Sequence, residues 1–581
     1  MTSTNEPKPT KKRTGRKRLP PLAPGPTLQF LVASHPDDFK ADNTMRNVRS
    51  HVMYKHRGEH YGIRRSHSAS YRSKSTEIEA KARAFTRTPS PRAAESGGRS
   101  VESGLFAPPS SGGKSAAWDT EFHDMLSQTT SANPLRNLAT RIIAAITVEQ
   151  ARSTPPVFGH VSEYPFPRRN SWENDSLEDV KTLYIQNNES CHHDEPWMRF
   201  VCSTRMSFLG NLTATCVFID LADGLLDDSP ITVYAKTKLL SMIKESLLEA
   251  ETSTSDFTVL SILHLLASEI CGSGEDVFDA HMEGLVRIIH RRGGLKYLGA
   301  EGRIAAFLAV YMLTFTILRS QSEPSLLHDF VPELLQPPAV LKKPPISPLF
   351  APNGDLSVLY SSCSDGCYQI LCDMHELTNT FIHRWTYTTE RYPQSSLELA
   401  SYDLHMQQIY SRLLLRPPTD PHTDPDWTYE SCRLAALIYC RSIVQGVPLS
   451  DSAGVMHASS RDDPGAPSGV TLLSALHQAL GCTDTNSDWG DLYGVCLWVC
   501  LVGGAASWHS CAQPADAAGY ASQRHEDEDR AAAWARKRFA LFSVKSSLAC
   551  GFHQASAMLE MQRRMLRVQR LIAVKGGIAS Q

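Results

Sequence analysis

The sequence predicts an all-α protein, a multi-helix antiparallel array preceded by a disordered basic N-terminal arm. Three observations predict it. From about residue 230 onward, apolar residues recur every three or four positions in segment after segment, the period of a helix with one buried face. No run of short alternating strands interrupts them. Charge is also split along the chain: residues 1–100 hold 21 Lys and Arg against 8 Asp and Glu, leaving 38 against 53 in the rest, so an arm of +13 precedes a body of −15. Such a field directs the arm toward polyanions or toward the body and is silent on the fold.

Residues 1–27 are Pro, Lys, Arg and Thr with hardly an apolar side chain. That composition buries too little surface to offset the entropy of ordering, and a disordered tail is expected. Residues 28–57 form a short motif. Leu28–Val32 is an apolar extended run, Pro36 forces His35 out of the helical region, and a basic amphipathic helix follows. Met45, Val48 and Val52 stripe that helix and are expected to dock on the body or on a protein; the alternative is contact with a DNA groove, with Arg46, Arg49 and Lys55 as phosphate-contact candidates. Residues 58–116 are Ser, Arg, Gly and Pro around Thr88-Pro89-Ser90-Pro91, a linker with steps open to phosphorylation.

Residues 117–581 are read as one all-α region, best defined over 230–572. Before it, one helix is expected at about 134–150. Leu239, Leu240, Ile243, Leu247 and Leu248 mark the next apolar stripe, and Val259, Ile262, Leu263, Leu266 and Ile270 another. A helix from about Glu275 to Arg292 turns Val277, Met282, Leu285, Ile288 and Ile289 inward. It ends in Gly293-Gly294, one of which takes the left-handed C-cap conformation, with Arg291 and Arg292 in the last turn where cations suit the dipole. Further helices are expected at about 303–320, 364–386, 396–415, 427–445, 469–480, 490–508, 530–550 and 554–572. Glu323–Pro352 and Pro417–Asp426 read as long surface connections.

The fourteen Cys, none before Cys191, fit neither a small disulfide scaffold nor a secreted framework, and a reducing compartment is expected. No apolar leader opens the chain, and the stretches Ile304–Leu318 and Tyr493–Trp508 read as buried helices rather than membrane spans. Cys363, Cys367, Cys372 and His375 lack the second well-spaced pair of a structural zinc site, so no metal and no cofactor is expected. No phosphate loop, dinucleotide fingerprint, metalloprotease motif or nucleophile elbow is present, and no catalytic residue is assigned. Met558, Met561, Met565, Val568 and Ile572 alternate at three and four along the last helix. This stripe packs on its own domain or, alternatively, pairs two copies as a homodimer.

Lys11, Lys12, Arg13, Arg16, Lys17 and Arg18 place six cations in eight residues. Such a run suits the acidic groove of an import receptor or a phosphate backbone, and a solvated charged tail is the bland alternative.

Two segments resemble a known family. Phe30–Lys40, with His35-Pro36-Asp37-Asp38 at its centre, and Arg46-Asn47-Val48-Arg49-Ser50-His51-Val52-Met53 are similar to the opening signature of fungal transcription-factor-like proteins. Ala280-His281-Met282-Glu283-Gly284-Leu285, continuing to Arg292-Gly293-Gly294-Leu295, resembles an element of the helical regulatory region of fungal-specific transcription factors. Cys432–Tyr439 and Leu497–Ala505 are similar to later helices of that region. The resemblance implies an all-α regulatory domain, residence in the nucleus and a role in controlling transcription, through other transcription regulators or chromatin proteins. His281, Gly284, Arg292, Gly293 and Gly294 carry over as family-motif residues with structural roles, Gly284 for close helix packing. The zinc-cluster pattern of six cysteines is absent here, since no Cys precedes Cys191, so DNA contact is expected only through the basic arm. The expectation is a non-enzymatic nuclear regulator without a membrane role; the alternative is a helical interaction scaffold with no DNA role.

Overall fold

The computed structural model describes residues 134–153, 177–187, 195–270, 275–332, 344–389, 396–420, 425–457, 470–484, 488–508 and 522–579. The chain divides into two units, Met1–Pro109 and Ser110–Gln581. All described residues belong to the second, so the tail, the 28–57 motif and the linker lie outside them.

Sixteen α-helices occupy the described residues: α1 Pro134–Ser153, α2 Leu177–Asn187, α3 Glu195–Val201, α4 Arg205–Ala222, α5 Pro230–Leu248, α6 Asp256–Glu269, α7 Glu275–Arg292 and α8 Arg303–Leu318 come first. Then follow α9 Asp365–Thr389, α10 Ser396–Leu414, α11 Trp427–Gln445, α12 Leu449–Ala453, α13 Leu472–Gly481, α14 Tyr493–Ser507, α15 Ser522–Cys550 and α16 Ala555–Ala579. Apart from two isolated bridges, Ser347 with Phe350 and Met456 with Thr471, no β-pairing occurs among the described residues.

Local chemistry sets the helix starts. Thr204, Ser229, Ser255, Asp426 and Thr471 each accept a hydrogen bond from the backbone N–H three residues on, satisfying a donor that the first turn leaves without an intrahelical partner. Pro230 follows Ser229 at the first position of α5, where its missing N–H costs nothing. Gly446 ends α11 at φ +70°.

Two apolar cores result. The first gathers α1 through α8; the second gathers α9 through α14. The last two helices serve both. Ala540, Leu541 and Val544 of α15 and Ala555, Met558 and Leu559 of α16 join the first core, while Phe539, Met561, Met565, Val568 and Ile572 join the second. Every residue of α8 from Ile304 to Leu318, and every residue of α14, is buried. The spans that contain them, Ala300–Leu318 and Gly490–Ser507, are long and apolar enough by composition to cross a membrane, and both are mostly buried in the cores here.

Several expectations need correcting. Helix α4 was not foreseen, although Phe208, Leu209, Leu212, Val217 and Leu221 place it in the first core; α2, α3 and α12 were also missed. The 323–352 stretch is no surface connection throughout. Ile346, Ser347 and Leu349 are buried, the Ser347 hydroxyl meets Met561 Sδ at 3.0 Å, and the Pro348 carbonyl lies 3.0 Å from His375 Nδ1. Three of the five residues expected inward on α5 face water: Leu239 and Ile243 are buried, while Leu240, Leu247 and Leu248 are exposed. On α7, Leu285 and Ile289 are buried with Phe278, Met282 and Ile288 are half-buried, and Val277 is exposed.

Candidate functional site

Lys11, Lys12, Arg13, Arg16, Lys17, Arg18, Arg46, Arg49, Lys55 and His35-Pro36-Asp37-Asp38 all fall outside the described residues. The second motif does not. It forms the seam where α6, α7 and the following turn meet.

Helix α7 ends in two hydrogen bonds that define a Schellman cap: Gly294 N–H to Ile289 O at 2.9 Å and Gly293 N–H to His290 O at 3.0 Å. Gly293 and Gly294 lie at φ +101° and +109°, a region costly to any residue with a Cβ. A Cβ on Gly293 would also approach the Tyr297 ring to 2.9 Å. Arg292 sits one residue before this cap. Its Nη2 meets Asp256 Oδ1 at 2.7 Å, its Nη1 donates to Thr254 O at 2.8 Å and its Nε to Tyr297 O at 2.9 Å. The guanidinium thus ties the end of α7 to the start of α6, and Asp256 also accepts from Gly299 N–H at 3.0 Å.

His281 makes the matching tie at the other end. Its Nδ1 lies 2.8 Å from Glu269 Oε2 in the last turn of α6. The hydrogen bond to Glu269 raises the imidazole pKa above its ordinary value, and the half-burial of the ring works against that. Gly284 departs from expectation: a Cβ there would meet nothing within 4 Å, so it permits no close helix packing.

The polar interior is structural. Asp220, fully buried, accepts from Arg136 Nη2 at 2.7 Å, Ser229 N–H at 2.8 Å and Thr232 Oγ1 at 2.6 Å, joining α1, α4 and α5. His264 is buried beside Phe307, and burial pushes its pKa down to about 3, so it stays neutral. Cys363 is partly exposed ahead of α9 and Cys367 is buried within it, near Cys432 rather than in a ring with Cys372 and His375. The hydrogen bond to Cys367 and then burial raise the Cys363 thiol; Cys367 is lowered by its bond to Cys363 but raised by its bond to Cys432 and by burial, and ends well above an ordinary thiol, the reverse of an activated nucleophile. No group of three or more His, Cys, Asp or Glu converges on a common point among the described residues. A cavity of about 20 Å³ between α8, α15 and α16, walled by Phe307, Tyr311, Thr314, Phe552 and Met558, has room for about one water.

What the body offers instead is surface. On α5, Val233, Leu240 and Leu247 recur every seven residues, each about 40% exposed, with Leu248 beyond them at 79%. The opposite face of the same helix, Ile231, Tyr234, Ala235, Leu239 and Ile243, is buried. The stripe on α16 is not available in this way, because Met558, Met561, Met565, Val568 and Ile572 are all buried in their own domain.

No curated protein and no solved structure matches the chain. The fungal specific transcription factor domain does, over residues 229–559, from the cap of α5 into the first turns of α16. That span is more than half of the chain and holds the tied pair α6–α7 as well as the shared helix α15: the chain belongs to the fungal-specific transcription factor family.

Proposed function

We propose that this is a nuclear transcription regulator without enzymatic activity, whose helical body engages other transcription regulators or chromatin proteins while the basic arm supplies nuclear import and DNA affinity. The observation that carries the reading is the family match over 229–559. The body supports the partner role by the kind of surface it has. Proteins that recruit partners through helices commonly present apolar anchors at i and i+7, and α5 carries Val233, Leu240 and Leu247 at that spacing on its solvent side. Asp220 and Arg292 each tie helices together, an arrangement suited to a rigid platform.

The test is chromatin occupancy of the full chain beside a version lacking residues 1–57, both carried into the nucleus by a foreign import signal. Discrete sites that vanish on truncation assign DNA recognition to the arm. Discrete sites that survive assign recruitment to the body, and Leu240→Glu in the truncated chain should then reduce occupancy. Absence of sites for both versions overturns the reading in favour of a helical scaffold with no DNA role.

A further inference from the structure

Helix α10 has an outer face that lacks charge. Its inner side, Met406, Ile409 and Leu413, is buried in the second core. Three of its charged groups turn sideways onto α9: Asp403 pairs with Arg384 at 3.2 Å, His405 with Glu376 at 2.9 Å and Arg412 with Asp373 at 2.7 Å, while Glu398 stands in the first turn beside the uncharged stripe. Opposite the core run Leu397, Ser401, Leu404, Gln408 and Ser411, continued by Leu415 in the turn just past the end of the helix, at successive spacings of four, three, four, three and four. Leu397 is 80%, Leu404 57% and Leu415 85% exposed. The spacing is that of a coiled-coil seam, and a solvent-facing seam of leucine without charge is unusual for an ordinary surface helix.

We infer that this seam pairs with the same helix of a second copy, antiparallel, about a two-fold axis near Met406. The order Leu-Ser-Leu-Gln-Ser-Leu reads almost the same in both directions. Reversed about position 406, Leu397 comes opposite Leu415, Ser401 opposite Ser411 and Leu404 opposite Gln408, twice over, which is the self-complementarity that an isologous interface requires. Having no charge, the seam meets its own copy without repulsion. Burial leaves little polar cost, because the Ser401 hydroxyl already donates to Glu398 O at 2.8 Å and that of Ser411 to Gln407 O at 2.9 Å. The seam is about 27 Å long at 1.5 Å per residue, which places the contact at the small end of specific interfaces and makes the dimer dissociate on dilution. The inference concerns assembly and does not depend on the regulatory role proposed above.

Sedimentation velocity of the full chain between about 1 and 100 µM is the experiment, a range that spans weak self-association. Dimer formation with rising concentration is expected. Leu404→Glu and Gln408→Lys should each weaken it about tenfold or more, with thermal unfolding unchanged because both side chains are solvent-facing. The double variant should restore it, since position 404 of one copy lies against position 408 of the other. A chain that stays monomeric throughout overturns the inference, as does a dimer indifferent to both single variants. Failure of the double variant to restore pairing overturns the antiparallel register.

Discussion

At the scale of the residue, the motif shared with the family acts through backbone geometry and helix ties. Gly284 and Gly293 are nine residues apart and should respond to alanine in opposite directions. Gly284 is helical with open space at its Cβ, so Gly284→Ala should raise stability by about 0.5–1 kcal/mol through the loss of unfolded-state freedom. Gly293 holds φ +101° against the Tyr297 ring, and Gly293→Ala should destabilise by more than about 1 kcal/mol. Urea midpoints of the two variants decide. The His281–Glu269 tie carries a pH signature. Because the folded pKa of His281 lies above the unfolded one, the histidine binds its proton more tightly when folded. Its contribution is therefore complete below the unfolded pKa, about 6.5, and is lost as pH rises through the raised folded value. His264, with its pKa pushed down to about 3, acts with the opposite sign as pH falls below about 6.5. The difference in stability between the parent and His281→Ala isolates the tie; it should be larger at acidic pH than at pH 8.5, and a pH-independent difference would contradict the assigned pair.

At the scale of the element, α4 shows how a helix that pattern reading missed can organise a core. Its sequence, Arg205–Ala222, is apolar on nearly every side, with twelve of its residues buried, so it has no polar face against which a 3.6 period can stand out. Its buried Asp220 is the most consequential polar side chain there. Asp220→Ala would strand the Arg136 guanidinium, the Ser229 N–H and the Thr232 hydroxyl, although Asp223 Oδ2, 2.8 Å from the same Arg136, retains part of the charge balance. A loss of about 3 kcal/mol is expected, measured by chemical denaturation, since removing one partner of a buried ion pair leaves the other uncompensated. The same physics explains what was legible. Helix α7 and helix α11 agree with the sequence reading to the residue, because each stops at a glycine, α7 has one clear apolar face and Asp426 caps the start of α11. Apolar α5 misled differently: it has leucines on two faces, and a stripe alone cannot tell a core from an exposed surface. Gly293 and Gly294 could be read as a helix end from their position, whereas the Arg292 contacts with Asp256 and Thr254 join residues that are 36 and 38 apart and leave no local sequence signal. The exposed seam on α10 was equally hidden, since its lack of charge becomes visible only when the ion pairs to α9 show where the charges went.

At the scale of the whole molecule, the two cores are joined by helices that belong to both. Along α16, Leu559 packs in the first core and Met561, two residues later, in the second, and α15 divides itself in the same way between Leu541 and Phe539. One core cannot open without removing part of the wall of the other. The described body should therefore unfold as one cooperative unit rather than as two domains, despite being long enough for several. Leu559→Ala offers the sharpest test, because Leu559 is 1% exposed and the loss expected for such a truncation is about 2–5 kcal/mol. Hydrogen exchange followed by mass spectrometry, under conditions where exchange requires opening, would read peptides from α6 in the first core and α11 in the second. If the cores are coupled through α15 and α16, the variant lowers protection in both sets of peptides by the same free energy, although no residue of α11 belongs to the core that was altered. Protection lost in α6 and kept in α11 would mean that the cores open independently and that the shared helices yield along their length. In a regulator, that difference decides whether an event at the α6–α7 seam can be felt at α10: a coupled body transmits it through the shared helices, and an uncoupled one confines it to the half in which it occurs.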